Sequence, residues 1–254
     1  MREAIKWRLF PGFNLNARLR WRILPAFFGV NDGSMERVVL DAGCGNGMLA
    51  YQSYLRGNRV VGVSIKEGEV ARCKRLFQEY LAIPDDRLSF QVRNLNEMAD
   101  LGLRFDEIIC TEVLEHIRHD RRVCRSFWDH LAPGGTLHLC CPNAAHPLHQ
   151  RERLDESESG GHVRAGYTVE SYRELLEPIG FRIEEILGLG GPVRQWWNRR
   201  IIWAGKYGPL AEMPFFLLCQ PFLHMDTETP AIPYSLYVRA RKPVKMASQS
   251  FADA

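Results

Sequence analysis

The 254-residue chain predicts an α/β fold built on a doubly wound parallel sheet. Three observations predict it. From Arg37 onward, apolar runs alternate with helical patterns through short links. The runs are nearly continuous, as strands covered on both faces require. The first run enters a glycine-rich turn, VVLDAGCGNG (38–47), placed where open α/β sheets bind ligands.

Residues 1–30 precede the sheet. They hold six basic residues against Glu3, a local charge of +5, so the remainder carries −2 of the formal +3. Arg8, Arg18, Arg20 and Arg22 interleave with Trp7, Phe10, Trp21, Phe27 and Phe28. A helix is expected from about Asn14 to Phe28, bent near Pro25. It either packs on the domain or acts as a lid or membrane-surface helix.

Residues 31–187 form the ligand-binding domain. RVVLD (37–41), RVVGVS (59–64), RLSFQV (87–92), FDEIIC (105–110) and TLHLCCP (136–142) read as strands. NGMLAYQSYLRG (46–57) reads as a helix ended by Gly57. Residues 67–83 show helical spacing at Val70, Cys73, Leu76, Phe77, Tyr80 and Leu81, with Pro84 following. Another helix runs from the end of the fourth strand to about Leu131, before the PGG turn. YTVESYRELLEPIGF (167–181) reads as a helix capped by Thr168, and FRIEEIL (181–187) as a strand. An irregular insert, 188–231, separates this strand from a last one within 232–243; a loose tail, 244–254, follows.

Hydrophobic residues at 46% and aromatics at 11% exclude a disordered chain. A charge of +3 without a long basic stripe gives no case for nucleic acid. The seven cysteines are scattered and form no C-x-x-C pair, which argues against disulfides and zinc and for a reducing cytoplasm. PFFLLCQPFL (214–223) falls short of the ~18–20 residues of a membrane span. It is expected to pack, with bilayer contact as the other reading. The N-terminus lacks a continuous apolar region and a small-residue cleavage site, so no signal peptide is expected.

The glycine turn separates two ligand classes. A dinucleotide fingerprint needs its third glycine where Met48 stands. A carboxylate at Asp41 suits a cationic amino group or sulfonium better than a pyrophosphate. Here the D-x-G-x-G-x-G pattern resembles the first motif of the class I S-adenosylmethionine-dependent methyltransferases, over roughly 37–187. CTEVLEHI (110–117) and LAPGG (131–135) resemble later motifs of that family. The resemblance implies a Rossmann-like methyltransferase sheet, mostly parallel with an antiparallel last strand.

It also implies cofactor contacts at Asp41, Gly43, Cys44, Gly45, Asn46, Gly47, Ser64, Ile65, Asn94, Leu95 and Thr111. Ser64 stands where most members carry a ribose-binding acid, with Glu67 as a substitute; Asn94 stands where they carry Asp. A helix at 112–116 would put Glu112, Glu115 and His116 on one face. His116 and Glu112 are the catalytic candidates. E-x-x-E-H with His162 downstream resembles the O-methyltransferases of ubiquinone biosynthesis and of small-RNA ends. That likeness implies a divalent metal, Mg²⁺ among the candidates, at Glu112, Glu115, His116 and His162. The other readings are a metal-free enzyme and a non-catalytic partner subunit.

The expected activity is methyl transfer to a small molecule, most of all to a hydroxyl oxygen. Arg194, Trp196, Trp197, Arg199 and Arg200 in the insert suit an aromatic, glycosidic or lipid-linked acceptor. The expected location is the cytoplasm, with peripheral membrane contact as an option. Oligomeric state is not legible.

Overall fold

In Val38–Ala42 (β1), successive side chains enter opposite cores: Val39 on one face, Leu40 on the other. The same alternation holds for Val60 and Val61 in Arg59–Ser64 (β2), and for Ile108 and Ile109 in Phe105–Thr111 (β4). The computed structural model describes residues 12–155, 160–227 and 229–244, without the side chains of 99–101 and 209. Much of the basic arm, including Arg8, and most of the tail lie outside them.

The remaining strands are Leu88–Val92 (β3), Leu131–Pro142 (β5), Arg182–Leu189 (β6) and Ser235–Arg241 (β7). They form one seven-stranded sheet in the order β3-β2-β1-β4-β5-β7-β6. β1 to β5 run parallel, and β7 pairs antiparallel with both β5 and β6. The sheet is thus the predicted Rossmann-like one with its antiparallel last strand.

One core lies beneath the helices Asp120–His130 (α4) and Val169–Leu176 (α5) and includes Phe105, Phe127 and Tyr172. The other lies beneath Leu15–Ile23 (α1), Met48–Tyr54 (α2) and Glu67–Lys74 (α3), around Phe77 and Phe90. α1 starts at Asn14, whose Oδ1 accepts from the Asn16 and Ala17 amides at 3.0 Å each. The expected bend falls at Pro25, inside the tighter turn Leu24–Phe27. α3 carries Glu67 and Glu69 in its first turn and Arg72 and Lys74 in its last, matching the helix dipole. α5 starts at Thr168, which forms a reciprocal capping box with Ser171. All seven cysteines are buried, free thiols.

Two expectations fail. The 188–231 insert is not irregular: it contains Pro192–Gly205 (α6) and Pro209–Cys219 (α7). Pro192 and Pro209 occupy the first turns of these helices, where a missing N–H is harmless, whereas Pro214 lies within α7. PFFLLCQPFL does not pack as a unit. Phe216 and Cys219 are buried, whereas Leu217, Leu218 and Phe222 are exposed. No helix among the described residues is long and apolar enough to cross a membrane.

Candidate functional site

β1 ends at the carboxyl edge of the sheet, and the chain turns there on three left-handed glycines. Their φ values are +85° at Gly43, +54° at Gly45 and +74° at Gly47. The Gly43 and Cys44 amides both donate to the Val63 carbonyl at 2.9 Å, which pins the turn to β2. A Cβ at Gly43 would strike Val113, and one at Gly47 would meet Phe77 at 2.6 Å. A Cβ at Gly45 would meet nothing within 4 Å, so the turn faces open space there. Asn46 Oδ1 accepts from the Met48 amide at 3.2 Å. Asp41 is buried, and its Oδ2 accepts from the Ala50 amide at 3.0 Å. Burial pushes its carboxyl up to about 7, against the hydrogen bond from Ala50.

At the end of β2, Ser64 Oγ donates to Glu69 Oε2 at 2.7 Å and accepts from the Lys66 amide at 3.1 Å. Glu69, rather than the expected Glu67, brings a carboxylate to Ser64; Glu67 is exposed. Ile65 is 65% exposed. Asn94 Oδ1 accepts from the Asn96 amide at 3.0 Å and caps the short turn beginning at Leu95, which is buried.

β4 ends at Thr111, and there the expected helical face breaks. Glu112 has φ +55°, and its amide donates to the Cys140 carbonyl at 2.8 Å. Only a single tight turn follows, Leu114–His116. Glu112 is therefore rotated away from Glu115 and His116. Its Oε1 lies 3.3 Å from Arg20 Nη1, which reaches in from α1. Burial alone would lower the Arg20 pKa. Glu112, Cys140 and Glu115 raise it, and the net direction is upward.

Glu115 is fully buried, and neither carboxylate oxygen has a hydrogen-bond partner. Burial, with Glu112 second, pushes it well above the usual carboxylate range. The Glu115 carbonyl accepts from the Val163 amide at 2.8 Å, drawing the 160–163 loop onto the turn. His116 and His162 then meet edge to face, with ring centroids 4.7 Å apart. His116 Nδ1 lies 2.9 Å from the Gly161 carbonyl, and His162 Nδ1 lies 2.7 Å from Glu152 Oε2. Both partners are acceptors, so each Nδ1 donates and Nε2 is the ring nitrogen left for another partner. Glu115, His116 and His162 each offer a ligand atom, all within 4.8 Å of one another. Glu112 is outside this group.

Three residues at the site escaped the sequence pattern. Arg20 lay in the arginine–aromatic segment, but nothing there pointed it at Glu112. Glu69 sits two residues beyond Glu67, and the rotation of the first turn of α3 decides between them. Glu152 belongs to a loop without periodicity and left no signal.

The model of the Methyltransferase domain family matches residues 13–186, well over half of the chain. The mitochondrial ubiquinone biosynthesis O-methyltransferase of Mus musculus is 28% identical over 171 residues, 63% of this chain and 45% of that protein. Its counterpart from Chromobacterium violaceum is 33% identical over 97 residues, 38% of this chain and 40% of that protein. The chain thus spans less than half the length of these curated relatives. Among solved structures, an S-adenosylmethionine-dependent methyltransferase from Mesorhizobium loti aligns with a TM-score of 0.59 and 20% identity, over 89% of this chain and 99% of that one. The 4+2 cyclase SpnF aligns equally well, with a TM-score of 0.59 and 21% identity over 89% of this chain and 81% of that one, so these likenesses carry the fold alone. With the family match and the glycine turn together, the chain belongs to the methyltransferase-domain family and has the Rossmann-like fold of its S-adenosylmethionine-dependent structural neighbour.

Proposed function

We propose that this protein is an S-adenosylmethionine-dependent methyltransferase that methylates a hydroxyl oxygen of a small-molecule acceptor. The observation that carries the reading is His116: its Nδ1–H is committed to the Gly161 carbonyl, which leaves Nε2 as the ring nitrogen for an acceptor at the carboxyl edge of the sheet. The relatives named as ubiquinone biosynthesis O-methyltransferases support oxygen as the target.

Bound S-adenosylmethionine supplies a methyl group already activated on a sulfonium. The protein holds and orients it. The Gly43–Gly47 backbone, with Cys44 and Asn46, lets the ligand approach closely at the open space beside Gly45. Asp41 offers a carboxylate to the cationic end. Ser64 and Glu69 together present the hydroxyl and carboxylate suited to ribose hydroxyls. Ile65 and Leu95 offer apolar surface to the base, and the Asn94 carbonyl can accept from its amino group. Thr111 and Glu112 close the floor, with Arg20 neutralising Glu112. His116 Nε2 takes the acceptor proton, an assistance of about 10²–10⁴-fold. Orientation of the two reactants supplies a further ~7–11 kcal/mol.

Calorimetric titration with S-adenosylmethionine and its demethylated product tests the cofactor half of the reading. Labelled-methyl transfer to a panel of phenols and catechols tests the acceptor half. His116→Gln is expected to lower kcat at least 10²-fold on hydroxyl acceptors with cofactor affinity unchanged. A folded protein that binds neither cofactor form, or that methylates only amines, defeats the proposal.

One observation favours a metal-assisted version: the buried Glu115 carboxylate, without a hydrogen-bond partner, beside the two imidazoles. This donor set fits a divalent cation, and two nitrogens suit Zn²⁺, Co²⁺ or Mn²⁺ better than Mg²⁺. Glu115, His116 and His162 would hold it, with Glu152 orienting His162. Such an ion supplies Lewis-acid activation of the hydroxyl. Turnover unchanged in chelator, with Glu115→Ala still active, rejects this version.

A further inference from the structure

The hairpin of α6 and α7 buries Ile201, Ala204, Phe216 and Cys219 yet leaves further large apolar side chains in solvent. A surface helix normally turns its apolar stripe to the core and its polar face to water. In α6 Arg194, Gln195 and Asn198 are buried along with Ile201 and Ala204, while Trp196, Trp203 and, just past the helix, Tyr207 are exposed. In α7, Leu210, Met213 and Leu217 recur at i, i+3 and i+7 and are all exposed, Leu210 by 82%.

The inner side is held by specific polar contacts. Asn16 and Gln195 exchange hydrogen bonds at 3.1 and 2.9 Å, and the Leu15 amide donates to Asn198 Oδ1 at 2.7 Å. Arg194 Nε lies 3.4 Å from Asp226 Oδ2. The hairpin is thus fixed to α1, and its apolar outer side is a built feature of the folded chain. Large apolar side chains exposed together on a fixed element mark an interaction site.

We infer that this face is an anionic membrane-docking surface. Two features select a bilayer over a protein partner. Charge is one: between residues 192 and 225, Arg199, Arg200 and Lys206 stand beside the apolar stripe, and Glu212 is the sole acid. Placement of the aromatics is the other. The exposed tryptophans, with Tyr207 just beyond, lie on the basic helix, and exposed Leu210, Met213, Leu217 and Leu218 on the neighbouring one, a separation suited to a headgroup belt beside an acyl-contacting face. The Arg200 guanidinium stacks 3.1 Å from the Trp196 ring centroid, a pair suited to the interface between water and lipid. The docked molecule is peripheral, because no described helix is long and apolar enough to cross a bilayer. α1 joins this face to the site, since it contacts α6 through Asn16 and Glu112 through Arg20.

Co-sedimentation of the full chain with vesicles tests the inference. Vesicles of phosphatidylcholine mixed with phosphatidylglycerol are expected to bind the protein, phosphatidylcholine alone more weakly, and added salt should narrow the difference. Leu217→Asp and Trp203→Asp should each lower the partition coefficient about tenfold or more. Arg199→Glu should weaken binding to the anionic vesicles alone. Leu55→Asp, exposed on a different helix end, should change nothing. Circular dichroism melts establish that each variant is folded. Absence of binding to either vesicle overturns the inference. So does equal binding by the hairpin variants, or a concentration-dependent dimer that covers this face without any vesicle binding.

Discussion

Arg20 Nη1 lies 3.3 Å from Glu112 Oε1, tying a helix that precedes the sheet to the residue that follows its fourth strand. Glu112 sits there in a left-handed backbone that glutamate rarely adopts. Removing the guanidinium leaves its carboxylate in a partly buried place without its counter-ion. Arg20→Leu is expected to lower stability by about 1–2 kcal/mol in denaturant melts. On the proposed function it also raises the acceptor KM and leaves cofactor affinity near wild type, which steady-state kinetics and calorimetry read separately.

Asp41 predicts opposition between stability and binding. Its carboxyl is raised from 3.8 to about 7 in the folded chain. Below 3.8 both folded and unfolded forms are protonated, and the contribution to stability is fully present. Between 3.8 and about 7 the folded form keeps a proton that the unfolded form has lost, so that contribution declines as pH rises and is gone above about 7. Asp41→Asn keeps an acceptor for Ala50 and removes the buried charge. At pH 8 it should stabilise the ligand-free protein by on the order of 2 kcal/mol, an advantage that shrinks on acidification. S-adenosylmethionine binding should weaken at least about tenfold. Melts across pH and calorimetry decide both halves.

Ser64 and Glu69 should act as one unit toward the cofactor. Glu69→Gln and Ser64→Ala are each expected to weaken cofactor affinity about tenfold. Glu67→Gln, on the same first turn but exposed, should leave it unchanged. A double variant that loses less than the sum of the single effects would show the coupling that the 2.7 Å hydrogen bond implies.

The glycines of the turn should separate by mechanism. Gly47→Ala forces a Cβ to within 2.6 Å of Phe77 at φ +74°, so the melt should fall by roughly 2 kcal/mol or more. Gly45→Ala meets no neighbour, and only its φ of +54° is penalised, by about 1–2 kcal/mol. Its methyl enters the space proposed for the ligand, so cofactor affinity should suffer more than stability. Equal loss of affinity in a thermally matched surface variant would remove that interpretation.

The legible parts of this protein are those set by local rules. β1, its glycine turn and β2 follow from apolar runs and from backbone angles that only glycine tolerates cheaply. Asn14 and Thr168 announce their helices because a side-chain oxygen must satisfy exposed amides. The Glu112–His116 segment was misread because its conformation is imposed from outside. The Glu112 amide bonds to Cys140, and the resulting left-handed turn separates residues that helical spacing would have gathered. His162 joined the cluster only through a loop drawn in by Glu115. The 188–231 insert read as irregular because its two helices carry apolar residues on exposed as well as buried sides, so neither shows a clean helical stripe.

The buried cysteines give the chain a built-in clock. With every thiol shielded from solvent, a chromogenic disulfide reagent should find almost nothing to titrate in the native protein. Each cysteine sits in a core or beneath a helix, so its colour appears only when that region opens. The order in which the seven thiols report would then rank the opening of the sheet's two sides and of the hairpin, read from one unmodified chain.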